Sequence, residues 1–86
     1  MRERRSKEGI ILEILSICAE GENVTRIVYR ANTNFTTIKT YLNLLKKKEL
    51  IECPEVSSQL YKTTAKGIDM INRLKQLQQE LDELIV

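Results

Sequence analysis

From Ile10 onward, apolar residues return every three or four positions. Ile11, Ile14, Leu15 and Cys18 form one stripe, widened by Ile10 and Ile17. This period predicts a first helix over 7–20, with Ser6 as its N-cap, Glu8 in its first turn and Gly21 closing it. Asn23 then caps a short second helix, 24–31, whose inward stripe is Val24, Ile27 and Val28. The link between the two is so short that they must pack as neighbours. Ala31-Asn32-Thr33-Asn34 is a polar break made of turn formers, and Asn34 caps a third helix, 35–48. Phe35, Ile38, Leu42 and Leu45 fall within about 80° of arc on its inward side, with Tyr41 beside them. The opposite side carries Thr36, Thr40, Asn43 and Lys47, flanked by Thr37 and Lys39. Residues 50–53 alternate, Pro54 stops them, and 59–63 alternate again, which reads as two short strands joined through a loop. Thr64 caps a long last helix, 65–85, with Ile68, Met70, Ile71, Leu74, Leu77, Leu81, Leu84 and Ile85 as its apolar positions.

A pair of strands is marginal alone and needs a helix to lie on. Two adjacent helices with a tight polar turn between them suit a helix-turn-helix, and a hairpin straight after the second makes it winged. The expected fold is therefore mostly α with a two-stranded β-wing: a winged helix-turn-helix followed by a long C-terminal coiled-coil helix. The expected division is a flexible basic arm (1–6), a winged helix-turn-helix domain (7–67) and a dimerisation helix (65–86).

Composition narrows the chemistry. Eighty-six residues hold one domain. With 42% hydrophobic and 30% charged residues, the chain is expected to be soluble and globular rather than disordered. The longest apolar run, 9–12, is far too short to span a membrane. The charged start Met1-Arg2-Glu3-Arg4-Arg5 lacks the apolar core of a signal peptide, so the expected location is cytoplasmic. Histidine is absent, which removes the commonest general acid/base and metal ligand together. Cys18 and Cys53 lie far apart among apolar residues and read as reduced packing residues; no metal-ligand spacing exists. Only three glycines occur, none in a phosphate-cradling loop, so an enzyme is disfavoured. The lack of Trp and of an aromatic-bearing sheet disfavours a single-strand or RNA binder.

The net charge of +2 is unevenly spread. Residues 1–50 hold ten Lys/Arg against six Asp/Glu, and residues 51–86 four against six. The front of the chain could therefore meet a polyanion. The outer side of the third helix has no acid, whereas a merely solvated side usually mixes Glu with Lys. In a winged helix-turn-helix that side enters the major groove of DNA. The expected base contacts are Thr36, Thr37, Lys39, Thr40 and Asn43, through Thr methyls on thymine and Asn on adenine. No arginine points outward there, so only modest sequence specificity is expected. Arg4, Arg5, Lys7, Arg26, Arg30, Lys47, Ser58 and Lys62 are the expected phosphate contacts. Arg2 could join the arm, and Ser57 and Gln59 the hairpin tip. The arm could equally be a solvated frayed end, and Lys46-Lys47-Lys48 could simply cap the third helix. Tyr29, Tyr41 and Tyr61 read as packing residues, since a duplex offers no free base faces.

The stretch Thr25-Arg26-Ile27-Val28-Tyr29-Arg30-Ala31-Asn32, followed by Phe35 and Tyr41-Leu42, resembles the helix-turn-helix of small archaeal winged-helix DNA-binding proteins. So does the hairpin exit Tyr61-x-x-Thr64-x-Lys66-Gly67. The dimeric ten-kilodalton archaeal chromatin proteins are the most similar family. The resemblance implies duplex-DNA binding, no cofactor, a nucleoid-associated place in the cell, and a homodimer built by antiparallel pairing of the last helices.

The last helix speaks for the same assembly on its own pattern. Met70, Leu74, Leu77, Leu81 and Leu84 are spaced four, three, four, three, an a/d seam with Leu74 and Leu81 at a. Together with Ile85 they are the expected dimer interface. Antiparallel pairing sets Arg73 against Glu80 and Ile71 against Ile85, whereas parallel pairing sets Glu80 against Ile85. Antiparallel is therefore preferred. A winged helix used only for protein–protein contact is the alternative.

Overall fold

A computed structural model of the chain describes residues 6–54 and 59–85. Its order is α1 (Lys7–Ile17), tightening into a 3-10 turn (Cys18–Glu20), β1 (Glu22–Asn23), α2 (Val24–Arg30), α3 (Phe35–Lys47), β2 (Ile51–Glu52), β3 (Leu60–Thr63) and α4 (Ala65–Ile85). All four expected caps form. Ser6 Oγ accepts from the Gly9 N–H at 3.0 Å and Asn23 Oδ1 from Arg26 N–H at 2.9 Å. Asn34 Oδ1 accepts from Thr37 N–H at 2.8 Å and Thr64 Oγ1 from Gly67 N–H at 3.1 Å. Each satisfies one of the N–H groups a helix leaves without an internal partner.

The sheet has three strands, not two. Its order is β1-β3-β2, antiparallel throughout, with Glu22 opposite Tyr61 and Ile51 opposite Thr63. The extra strand forms because Gly21, at φ 95° and ψ 129°, turns the chain into extended backbone before Asn23 caps α2. Two residues are too few to show alternation. β2 and β3 are each shorter than the alternating runs that foretold them.

The core gathers Ile14, Leu15 and Cys18 from α1 and its 3-10 turn, Ile27 from α2, and Ile38 and Leu42 from α3. Ile51 of β2 and Ile71 of α4 close it. Ala31, read as part of a polar break, is fully buried and seats the turn between α2 and α3. Phe35 is not in the core: it is 57% exposed. The stripe it was assigned to begins one turn later, at Ile38. Tyr41 and Tyr61 pack against the core as expected, but Tyr29 is 85% exposed and does not.

The hairpin exit is a staple. Thr63, buried, donates its hydroxyl to the Leu15 carbonyl at 2.7 Å. Thr64 donates to the Glu49 carbonyl at 2.7 Å, and Lys66 Nζ to the Lys48 carbonyl at 3.1 Å. Both carbonyls belong to the chain leaving α3. Gly67 lies so close to Leu50 that a Cβ would come within 2.3 Å of its carbonyl oxygen. Among the described residues, no helix is long and apolar enough to cross a membrane.

Candidate nucleic-acid interface

α2, the turn and α3 form the helix-turn-helix. Burying Ile38, Leu42 and Leu45 obliges the other side of α3 to face solvent. Thr36, Lys39, Thr40, Asn43 and Lys47 are exposed there, and Thr37 is half-buried. Thr40 donates its hydroxyl hydrogen to the Thr36 carbonyl at 3.0 Å, a back-bond that leaves its methyl as the group most readily offered to a partner. The strip is flanked by two grooves. One, of about 440 Å³, runs toward α1 and is lined by Lys7, Ile11, Thr36, Thr40, Tyr41 and Leu44 among others. The second, of about 750 Å³, runs toward β3 and includes Arg26, Phe35, Lys39, Lys46, Cys53 and Gln59. Of the α3 side chains that sequence reading grouped as one strip, Thr36, Thr37 and Thr40 line the first groove and Lys39 the second.

Lys7 lies in the first groove beside Thr36, so α1 contributes a cation to the same surface. Lys47 at the end of α3 and Lys62 on β3 are exposed. Arg26 and Arg30 point outward from α2, as expected, but both are engaged. Glu22 on β1 takes Arg26 Nε at 3.6 Å and Arg30 Nη1 at 3.3 Å. One carboxylate thus stands where a phosphate would stand for either arginine. Arg4, Arg5 and Ser58, with Arg2 and Ser57, lie outside the described residues.

Three features of the surface escaped sequence reading. Phe35 projects at the head of α3 with Lys39 Nζ 5.8 Å from its ring centroid. Leu44 is exposed on the outer side of α3, in the groove toward α1. Glu22 acts as an internal counter-ion. Helical spacing could have found the last, since Glu22 and Arg26 are four apart across the start of α2. The Cys18 thiol is buried away from this surface, whereas Cys53 lines the second groove. Burial pushes the Cys18 thiol from 9.0 up to about 12, the Glu22 carboxylate adding to the rise and Arg30 opposing it. Cys53 is half-buried, and both cysteines are free of disulfide. No group of three or more metal-ligating side chains occurs among the described residues.

On α4, Met70 is half-buried against the core, and Leu74 is half-buried. Leu77, Leu81, Leu84 and Ile85 are 51%, 47%, 80% and 78% exposed. Ile68, in the first turn, is 39% exposed. The far half of α4 therefore carries an apolar row that its own domain leaves uncovered.

The chain is similar to known proteins. An uncharacterised protein of Methanocaldococcus jannaschii is 34% identical over 79 residues, covering 83% of this chain and 81% of its own length. Among solved structures, Sso10a-2, a DNA-binding protein from Sulfolobus solfataricus, superposes with a TM-score of 0.84. The match covers 94% of this chain and 86% of that one at 24% identity. The homodimeric winged helix-turn-helix DNA-binding domain of Mb0332 from Mycobacterium bovis, a possible ArsR-family transcriptional regulator, gives a TM-score of 0.63 at 22% identity. That match covers 96% of this chain and 92% of the other. The family model for winged helix-turn-helix proteins matches residues 4–82, nearly the whole chain, which belongs to that family.

Proposed function

We propose that the protein binds duplex DNA as a homodimer, as a transcriptional regulator or an architectural chromatin protein, with α3 in the major groove. The observation that carries this reading is the solvent-open strip of Thr36, Lys39, Thr40 and Asn43, on a helix without a single carboxylate. Methyl, amide and ammonium groups suit thymine methyls, adenine edges and phosphates. Thr37 reaches the same edge from its half-buried position. Lys7, Lys47 and Lys62 hold phosphates around the strip, joined by Arg26 and Arg30 once these exchange Glu22 for DNA. Arg4, Arg5 and Ser58 extend the contacts from the arm and the wing tip. No cofactor enters this reading.

Residues 7–67 read the duplex and residues 65–86 join the copies. The exposed row from Leu77 to Ile85, continuous with Met70 and Leu74, is covered by the antiparallel α4 of a second chain. That the Sulfolobus protein binds DNA, and that the Mycobacterium domain does so as a homodimer, supports the reading.

Electrophoretic mobility shift on arbitrary duplex DNA at low salt tests it. The expected result is a shift that Thr40→Glu with Asn43→Glu abolishes. A wild-type protein that shifts no duplex would overturn the reading and leave protein–protein contact as the use of the fold. Selection of bound fragments from random DNA then separates the two roles. An enriched motif marks a regulator, and its absence an architectural binder.

A further inference from the structure

We propose that Phe35 reads thymine: its ring, at the head of α3, takes up the 5-methyl group of a thymine in the major groove. The inference rests on the duplex-DNA reading of α3. Position supports it first. Phe35 is the opening residue of α3, directly after the Asn34 cap, and the N-terminal residues of a recognition helix are those that reach base edges. Exposure supports it next. Phe35 is 57% exposed while Ile38, on the next turn, is fully buried, so Phe35 stands outside the core.

Chemistry then selects the partner. Thymine alone among the four bases presents a methyl in the major groove, and a phenyl side chain is one of the groups that contacts it. Charge places a nucleic acid there rather than another apolar surface. The Lys39 ammonium sits 5.8 Å from the ring centroid, within cation–π range. Arg26 and Lys46 line the same groove, and none of its described lining residues is a carboxylate. Arg26 is shared with Glu22, whose carboxylate lies 3.6 Å from it. A backbone drawn to these cations would bring base edges up to the ring.

Replacing thymine by deoxyuridine removes the methyl and little else. Fluorescence anisotropy at low salt is measured on two short alternating duplexes, one of adenine with thymine and one of adenine with uracil. The proteins are wild type, Phe35→Ala, Phe35→Leu and Asn43→Ala, each checked for folding by circular dichroism. Wild type is expected to prefer the thymine duplex about fourfold for each methyl buried. Phe35→Ala should lose about fourfold of that preference, the share of the methyl its ring covers, while the threonine methyls keep theirs. Phe35→Leu should lose less, and Asn43→Ala none. A Phe35→Ala protein with the full preference overturns the proposal. So does a wild type that binds both duplexes equally, an outcome that leaves the DNA reading standing. A wild type that binds neither removes both. Conversion of Phe35→Ala to monomers in sedimentation would place the ring against a second copy and also overturn it.

Discussion

A methyl group at position 67 has nowhere to go. Its nearest neighbours are the Leu50 carbonyl oxygen and the Thr63 methyl, at 2.3 and 2.4 Å, one of them backbone and the other on a hydrogen-bonded side chain. Gly67→Ala should therefore destabilise the fold by about 2–3 kcal/mol, as overpacking of a closed site does, read as a lower midpoint in urea. An unchanged midpoint would mean that α4 can slide on α3. The Lys-Gly pair of the hairpin exit thus has two separate jobs: Lys66 satisfies a carbonyl at the end of α3, and Gly67 lets α4 pass it. Phe35 shows where local reading fails. At 100° per residue it falls on the buried arc of α3, yet it precedes the first core contact by a full turn. Angle gives direction around a helix, not depth along it. Glu22 was legible only in part: its four-residue spacing to Arg26 stands in the sequence, but its bond to Arg30 depends on the β1 strand that aims it.

The caps were legible because capping is settled within four residues. Ser6, Asn23, Asn34 and Thr64 each bond to a backbone N–H three positions on, and no distant contact can alter that arithmetic. β1 was not legible because it exists through Leu60 and Tyr61, far along the chain. The strip on α3 could be read as polar and acid-free, but the grooves beside it could not, since α1 and β3 build their far walls. For α4 the pattern carried further. Its first turns pack on the domain through Ile71, and its far half holds exposed leucines. Replacing Leu77 and Leu81 by Lys should leave the domain folded and convert the proposed dimer to monomers. Sedimentation velocity checks this, and a persistent dimer would mean that another face joins the copies.

Across the molecule, charge is arranged rather than abundant. A net +2 is modest for the proposed binding of a polyanion, and part of the basic set is already paired with Glu22. If a dimer meets about six to eight phosphates, log affinity should fall with log salt at a slope of roughly −5 to −7. Replacing Arg30 and Lys39 by Ala should flatten that slope by about 2 for each residue, counting both copies. Glu22→Gln should steepen it and tighten binding at low salt, because the arginines then have no internal competitor. Slopes indifferent to all three changes would place the phosphates elsewhere on the surface.

The bonds from Thr64 and Lys66 onto the chain leaving α3 have a mechanical meaning. They weld the base of the long arm to the end of α3, so the two cannot hinge independently. In a paired molecule the two reading heads would then stand like the points of a locked pair of compasses. Such an instrument measures: it accepts double helices whose successive turns arrive at its own opening, and it must bend or overwind any that do not.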